Sequence, residues 1–116
     1  MARLMAVSLT EQQVRDRTKT VTRRTGWRML QVGDQLQLCR KVMGRRRGEP
    51  LERITTVEVT GIRRERLDAI TAADVTAEGF PAMTPAEFIR FFCDTHPGCT
   101  PATDISRIEW CYTGQE

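Results

Sequence analysis

The segment Arg53–Leu67, RITTVEVTGIRRERL, decides the fold because it carries the clearest strand pattern in the chain. Its apolar residues are Ile54, Val57, Val59 and Ile62. β-Branched residues such as these favour a pleated, half-buried strand. The apolar alternation changes phase along the segment, which indicates a β-bulge near Thr55 or Gly61.

Two earlier segments predict partner strands for it. In VGDQLQLCRKV, residues 32–42, a Gly-Asp turn precedes an alternating run that places Leu36 and Leu38 on one face. The breakers in GRRRGEP, residues 44–50, predict a hairpin loop between this strand and the next. Further upstream, the β-branched residues of KTVTRR, residues 19–24, favour an extended strand, and TGW then turns the chain.

Helical signals dominate the second half of the chain. The stretch from Thr71 to the residue before Gly79 predicts a short helix that ends at a glycine. In MTPAEFIRFFCDTHPG the strongest helix is expected, since Thr84 and Glu87 form a capping box around Pro85 in the first turn. DISRIEWCY, residues 104–112, predicts a closing strand.

One helix is expected in the first half, from Glu11 to Arg17, because Thr10 and Gln13 have capping-box spacing. Strands first, then helices before a last strand, are typical of an α+β fold. We therefore predict a small, strongly curved sheet or barrel covered by helices. With 116 residues, the chain is expected to form a single domain over residues 1–116.

Composition narrows the classes of protein further. No apolar run approaches the roughly 18 residues of a membrane span, and the first ten residues lack the apolar stretch of a secretory signal. We expect a soluble, cytoplasmic protein with no membrane partner. Its four cysteines, Cys39, Cys93, Cys99 and Cys111, are then expected to be reduced thiols.

Charge is divided unevenly along the chain. Residues 1–66 hold 16 Lys+Arg against 7 Asp+Glu, whereas residues 67–116 hold 2 against 8. Sixteen of the eighteen cations are arginines, whose planar fork makes two-point contacts with phosphate and stacks on bases. The first half therefore indicates either a solvated basic face or a surface for nucleic acid or a nucleotide-like ligand.

A possible site lies in residues 17–27, RTKTVTRRTGW. Lys19, Thr22 and Arg24 offer an amine, a hydroxyl and a guanidinium, and neighbouring cations such as Arg23 would lower the pKa of the amine. In an ideal strand, however, Lys19 points away from Thr22 and Arg24. The stretch is either an exposed basic strand or, with a turn at Lys19, part of a site.

Glu78 lies at the predicted end of a helix, where the helix dipole disfavours a carboxylate. Packed beside Phe80, its carboxyl group would suit a general acid. Left exposed, it is an ordinary surface glutamate.

Two further groups have competing interpretations. Cys93, His96, Cys99 and Cys111 offer four zinc ligands, but their spacing is unusual, and buried thiols beside a helix-ending histidine are the alternative. Arg45, Arg46 and Arg47 form either a solvated hairpin tip or a phosphate clamp whose affinity falls steeply with salt.

Several of these segments together resemble an ASCH domain of the PUA-like superfamily, of the compact type found in phage and bacterial genomes. The segments are KTVTRR, VGDQLQL, ITTVEVTGI, LDAIT, AEGFP, PAEFIRFF and ISRIEWCY, and they extend from about Ser8 to Tyr112. The resemblance implies a small β-barrel with flanking helices, a basic cleft and an association with RNA.

Some small members of that family are amidohydrolases that remove the acyl group from N(4)-acetylcytidine. By similarity, Lys19 is the expected proton acceptor, Thr22 the nucleophile and Glu78 the proton donor, while Arg24 occupies the arginine of the motif. The resemblance therefore implies a cleft for RNA or a modified pyrimidine nucleoside, with Arg23, Arg24 and Arg45–Arg47 as anion-binding candidates and no cofactor or metal. A non-catalytic RNA-binding module and a ribonuclease remain the alternatives.

Overall fold

The computed structural model describes residues 2–113, in which five strands and three α-helices form one α+β unit. The strands are β1 (Arg3–Ala6), β2 (Val21–Arg24), β3 (Gln35–Cys39), β4 (Arg53–Arg66) and β5 (Asp104–Tyr112). The helices are α1 (Glu11–Arg15), α2 (Ala72–Glu78) and α3 (Pro85–Thr95), with 3-10 turns at Ser8–Thr10 and Leu67–Ala69. The predicted fold class is confirmed.

The strands form a curled sheet in the order β1-β3-β4-β5-β2. β1 pairs with β3 in parallel, and all other neighbours are antiparallel. β4 pairs with β3 along its first half and with β5 along its second. It is therefore the central strand, while β1 and β2 are the two edges of an open barrel.

Both predicted bulge positions are confirmed. The register of β3 and β4 shifts where Leu38 faces Thr55 and Cys39 faces Arg53, and that of β4 and β5 shifts between Val59 and Gly61. An extra residue bends a strand and increases its twist. The two bulges thus account for the curl that brings the edges of the sheet towards each other.

Two hydrophobic clusters form the core. The first fills the concave side of the sheet and contains Met5, Val7, Val14, Leu30, Leu36, Leu38, Ile54, Val57, Val59, Ile108 and Trp110. The second joins α2 and α3 to the start of β5 and contains Leu67, Ile70, Val75, Phe88, Phe92 and Ile105. α2 and α3 therefore pack where β5 begins, while α1 contributes Val14 to the first cluster.

The helices of the second half begin and end as predicted. The hydroxyls of Thr71 and Thr84 accept hydrogen bonds from the third residue of α2 and α3, and the capping box of α3 is complete. Gly79 follows α2 with a φ of 106°, a left-handed conformation that glycine adopts readily. None of the helices within residues 2–113 is long and apolar enough to cross a bilayer.

The first half differs from the prediction at two places. α1 ends at Arg15 rather than Arg17, where Arg17 adopts a left-handed φ of 62°. The Thr10 side chain makes no capping bond, and the Gln13 side chain donates to Gly79 O. β1 was not predicted. Its four residues pair with β3, which is more than thirty positions away in the chain, so no local pattern marks it.

Candidate functional site

The segment between α1 and β2 holds Lys19 in a fixed position outside the strand. Arg17 adopts a left-handed φ of 62°, and the N–H groups of Thr18 and Lys19 donate to Gln13 O at 2.9 and 3.2 Å. The carbonyl of Lys19 accepts from the Trp110 indole at 3.0 Å and from the Tyr112 hydroxyl. The turn required to aim Lys19 into a site is therefore present.

The Lys19 ammonium forms a buried ion pair with Glu78. Its Nζ lies 2.8 Å from Glu78 Oε1 and 2.8 Å from the Glu78 carbonyl oxygen, and the two side chains are only 3% and 4% exposed. Loss of water lowers the pKa of Lys19, and the charge of Glu78 opposes that shift. The ammonium and the carboxylate, from distant segments of the chain, thus lie together in a site that excludes water.

The end of α2 is fixed by a close approach to α1. The Gln13 side chain donates to Gly79 O at 3.0 Å, and a Cβ at Gly79 would lie 2.9 Å from Gln13 Cγ. The N–H of Thr20 also donates to the carbonyl of Ala77 at 2.8 Å. These contacts hold Glu78 inward, and Lys19 explains why a carboxylate is tolerated at the negative end of a helix.

Arg23 connects Glu78 to a network of other charges. Its fully buried guanidinium lies 2.7 Å from Glu65, 2.8 Å from Asp74 and 3.6 Å from Glu78 Oε2. Arg107 also binds Asp74 through two nitrogens, at 2.9 and 3.1 Å. Hydrogen bonds from Arg107 and Arg23 lower the pKa of Asp74 to about 2. Arg23 therefore faces three carboxylates of the protein itself.

Thr22 and Arg24 lie on the same side of edge strand β2. Arg24 Nε donates to Thr22 Oγ1 at 3.2 Å, and its Nη2 donates to the carbonyl of Ala6 at 2.8 Å. Ala6 ends β1, so the guanidinium of Arg24 connects the two edge strands. Burial lowers the pKa of Arg24. The Thr22 hydroxyl, 3% exposed at residue level, receives one hydrogen bond and keeps its own proton to donate.

A cavity of about 210 Å³ opens at this seam between the edges. We call it the seam cavity. Its polar wall consists of Lys19, Thr22, Arg23, Arg24 and Glu78. Its aromatic wall consists of Phe80, Phe88, Phe91, Phe92 and His96, and residues 6–10 complete the lining. Centroids of neighbouring phenylalanine rings in this wall lie 5.4 to 6.3 Å apart, so these rings pack against one another.

His96 ends the aromatic wall. Its ring stacks on Phe92 with centroids 3.9 Å apart, and its Nδ1 lies 2.9 Å from Phe92 O. Cys93 and Cys99 are half-buried free thiols beside the second hydrophobic cluster. Across residues 2–113, no group of three or more His, Cys, Asp or Glu side chains is arranged to hold a metal ion.

The structure separates the predicted residues into two sets. Lys19, Thr22, Arg23, Arg24 and Glu78 line the seam cavity, whereas Arg45–Arg47 do not. These three arginines are exposed in the loop between β3 and β4, where Arg45 Nε donates to Val42 O and the Arg46 N–H donates to Glu49.

Sequence reasoning missed the carboxylates that surround Arg23. Asp74 and Glu65 lie 51 and 42 positions from it, so no spacing rule connects them. The only local signal is their position on regular elements, since Asp74 lies in the first turn of α2 and Glu65 near the end of β4.

Comparison with known proteins identifies the fold. No family model and no curated protein matches the chain. Among solved structures, a protein from Enterococcus faecalis V583 of the DUF984 family is similar at a TM-score of 0.71 and 13% identity. An ASCH domain from Lactobacillus crispatus JV V101 is similar at 0.63 and 12%. Each comparison covers 98% of this chain and 81% of the other. The chain therefore has a fold of the ASCH type, as predicted.

Proposed function

We propose that this protein of ASCH-type fold is an amidohydrolase that removes the acyl group from an N(4)-acylated cytosine nucleoside. The proposal is carried by one observation, the buried Lys19–Glu78 pair at 2.8 Å in the wall of a cavity that Thr22 also lines. Lys19 accepts a proton, Thr22 attacks the acyl carbon, and Glu78 protonates the departing amine. The aromatic wall packs against the base.

Burial of the Lys19–Glu78 pair favours proton transfer between its two groups. An ammonium beside a carboxylate has the same total charge as a neutral amine beside a carboxylic acid. Removing water penalises the form that carries two charges, and the lowered pKa of Lys19 has this cause. We propose that the Lys19 proton moves to Glu78 before the reaction, which supplies a proton acceptor and a proton donor side by side, and amide cleavage requires both.

The proposed reaction has two stages. Thr22 Oγ1 bonds to the acyl carbon while its proton moves to Lys19, the C–N bond breaks, and the proton of Glu78 moves to the amine nitrogen. Proton transfer across the 2.8 Å contact restores the neutral pair. Water then cleaves the acyl ester, giving one proton to Lys19, while Glu78 returns a proton to Thr22. The sum is amide plus water giving acid plus amine.

Arg24 supports the nucleophile. Its Nε already donates to Thr22 Oγ1 at 3.2 Å, so negative charge that develops on this oxygen meets a cation without further rearrangement. Burial of Lys19 and Glu78 under a small aromatic cavity favours chemistry on a base over simple contact with an RNA backbone, which exposed arginines would serve equally well.

Incubation of the purified protein with N(4)-acetylcytidine tests the proposal, with cytidine and acetate measured by chromatography. The informative variant is Lys19→Arg, because arginine remains charged beside Glu78 but cannot accept a proton at neutral pH. We expect kcat to fall by about 10²- to 10⁴-fold, with thermal stability showing that the variant is folded. Wild-type turnover in this variant, or no turnover by the natural protein on acetyl, propionyl and benzoyl cytidines, would overturn the proposal.

A pair of variants at Thr22 separates its two possible roles. Thr22→Val keeps the shape and removes the hydroxyl, so turnover is lost if this oxygen attacks. Thr22→Ser restores a hydroxyl and retains activity. Undiminished turnover in Thr22→Val would exclude Thr22 as the nucleophile.

A further inference from the structure

A second depression adjoins the seam cavity, and we infer that it binds a phosphate ester on the ribose of the substrate. We call it the arginine groove. Its volume is about 600 Å³, and its lining includes Arg3, Arg24, Thr25, Trp27, Arg28 and His96. The inference rests on the proposed function for the position of the base and goes beyond it in naming a nucleotide, not a free nucleoside, as substrate.

The groove and the cavity are continuous. Arg24 and His96 line both of them, so one ligand can occupy both. The seam cavity, at about 210 Å³, is smaller than the roughly 300 to 1,000 Å³ of pockets that enclose whole drug-sized ligands. It therefore has room for a base and its acyl group, while the sugar and its substituents extend into the arginine groove.

The charge of the groove has a single sign. Among residues 2–113, three guanidinium groups line it, from Arg3, Arg24 and Arg28, and no carboxylate does. Arg3 and Arg28 make no ion pair within residues 2–113. Many other arginines of the chain, among them Arg15, Arg63, Arg66 and Arg107, are paired with a carboxylate. Arg3 and Arg28 thus place positive charge without a carboxylate partner directly beside the cavity.

The wall that carries Arg28 is firmly attached. The carbonyl of Gly26 accepts from Ser106 Oγ at 2.6 Å, and that of Thr25 accepts from Arg64 Nη1 at 3.4 Å. Trp27 has a φ of 62°, which costs energy for a residue other than glycine, and its side chain packs against the first hydrophobic cluster. An anchored turn therefore presents Arg28 to the groove.

Arg24 has the position expected of a shared anchor. Its Nε and Nη2 are held by Thr22 and Ala6, so the orientation of the guanidinium is fixed. A phosphate carries one or two negative charges and several acceptor oxygens, which match the planar forks of several arginines. No side chain of opposite charge in the groove would compete with it.

The test compares kcat/KM for N(4)-acetylcytidine with that for its 5′-monophosphate and for an acetylated cytidine dinucleotide. We expect at least one phosphorylated substrate to be favoured by about tenfold or more, as for hydrogen bonds to charged groups. A preference for the monoester would identify a mononucleotide, and a preference for the dinucleotide an oligonucleotide end. Equal kcat/KM for all three substrates would overturn the inference.

Variants test whether the preference for a phosphorylated substrate arises in the arginine groove. Arg28→Ala and Arg3→Ala should lower kcat/KM for the favoured phosphorylated substrate and leave that for the nucleoside unchanged. Arg47→Ala is the matched control, because it removes an exposed cation that lines neither the cavity nor the groove. A phosphate preference that survives Arg3→Ala and Arg28→Ala together would also overturn the inference.

Calorimetry with cytidine and cytidine 5′-monophosphate separates this inference from the proposed function, because it needs no chemistry. Tighter binding of the monophosphate that is lost in Arg28→Ala supports the arginine groove even if no acylated substrate is turned over. Equal affinity for the two ligands, together with turnover of acetylcytidine, would reject the groove and leave the amidohydrolase intact.

Discussion

The cations of this protein occur in two contrasting environments. Lys19 and Arg23 are buried and face carboxylates of the protein, whereas Arg3, Arg28 and Arg45–Arg47 are exposed and unpaired within the described residues 2–113. All belong to the basic first half of the chain. The difference shows that the role of a cation depends more on its partner than on the number of cations in the segment. Buried pairs fix and tune chemical groups, and free cations remain available to a ligand.

The largest loss of stability is expected when a cation is removed from the buried charge network. Arg23→Met leaves Glu65, Asp74 and Glu78 close together without their shared cation, and loss of one partner from a buried charge network costs about 3 to 5 kcal/mol. Denaturant unfolding measures this loss.

Arg63→Met is the matched control for that variant, since Arg63 binds the same Glu65 at 2.7 Å from a largely exposed position. An exposed pair contributes only about 0 to 1 kcal/mol. Equal destabilisation in the two variants would show that burial does not determine how much an ion pair contributes to stability here.

A smaller effect is expected from acid. The pKa of Asp74 is lowered to about 2 in the folded protein, against about 3.9 in an unfolded chain. Its contribution to stability is therefore fully present above about pH 4 and disappears as the pH falls towards about 2. Thermal unfolding across this interval, compared between the natural protein and Asp74→Asn, measures it. An unchanged difference in melting temperature from pH 6 to pH 2 would contradict this assignment.

The smallest effect is expected from the exposed loop. Replacing Arg45, Arg46 and Arg47 together by serine removes three charges that line neither the cavity nor the groove. Surface substitutions of this kind usually change stability by no more than about 0.5 kcal/mol, and cytidine 5′-monophosphate should bind as before. Lost nucleotide binding in this triple variant would restore the phosphate clamp considered from the sequence.

Local signals predicted much of the fold. α2 and α3 carry their caps within a few residues of sequence, at Thr71, Gly79 and Thr84, and β3 and β4 show their alternation directly. β1 escaped prediction because its stability comes from pairing with a remote strand. α1 was predicted two residues too long because Arg17 adopts a left-handed φ of 62°, which is uncommon for a residue other than glycine.

The candidate site was predictable only in part. Residue types in the first half suggested Lys19, Thr22 and Arg24, and the family resemblance added Glu78. The burial of the Lys19–Glu78 pair and the carboxylates around Arg23 depend on contacts between residues 42 to 59 positions apart. Arg45–Arg47 show the opposite case, because this run of charge is conspicuous in the sequence but lies outside the cavity.

The bridge from Arg24 to Ala6 has a consequence for how such a protein can diversify. The two edge strands meet through a side chain, not through a backbone ladder. The lining residues Ser8 and Leu9 follow β1 and lie outside the strand pairing of the sheet. Substitutions at these exposed positions would reshape the seam cavity at little cost to folding. A barrel left open on one side thus allows the lining of this cavity to vary separately from the scaffold.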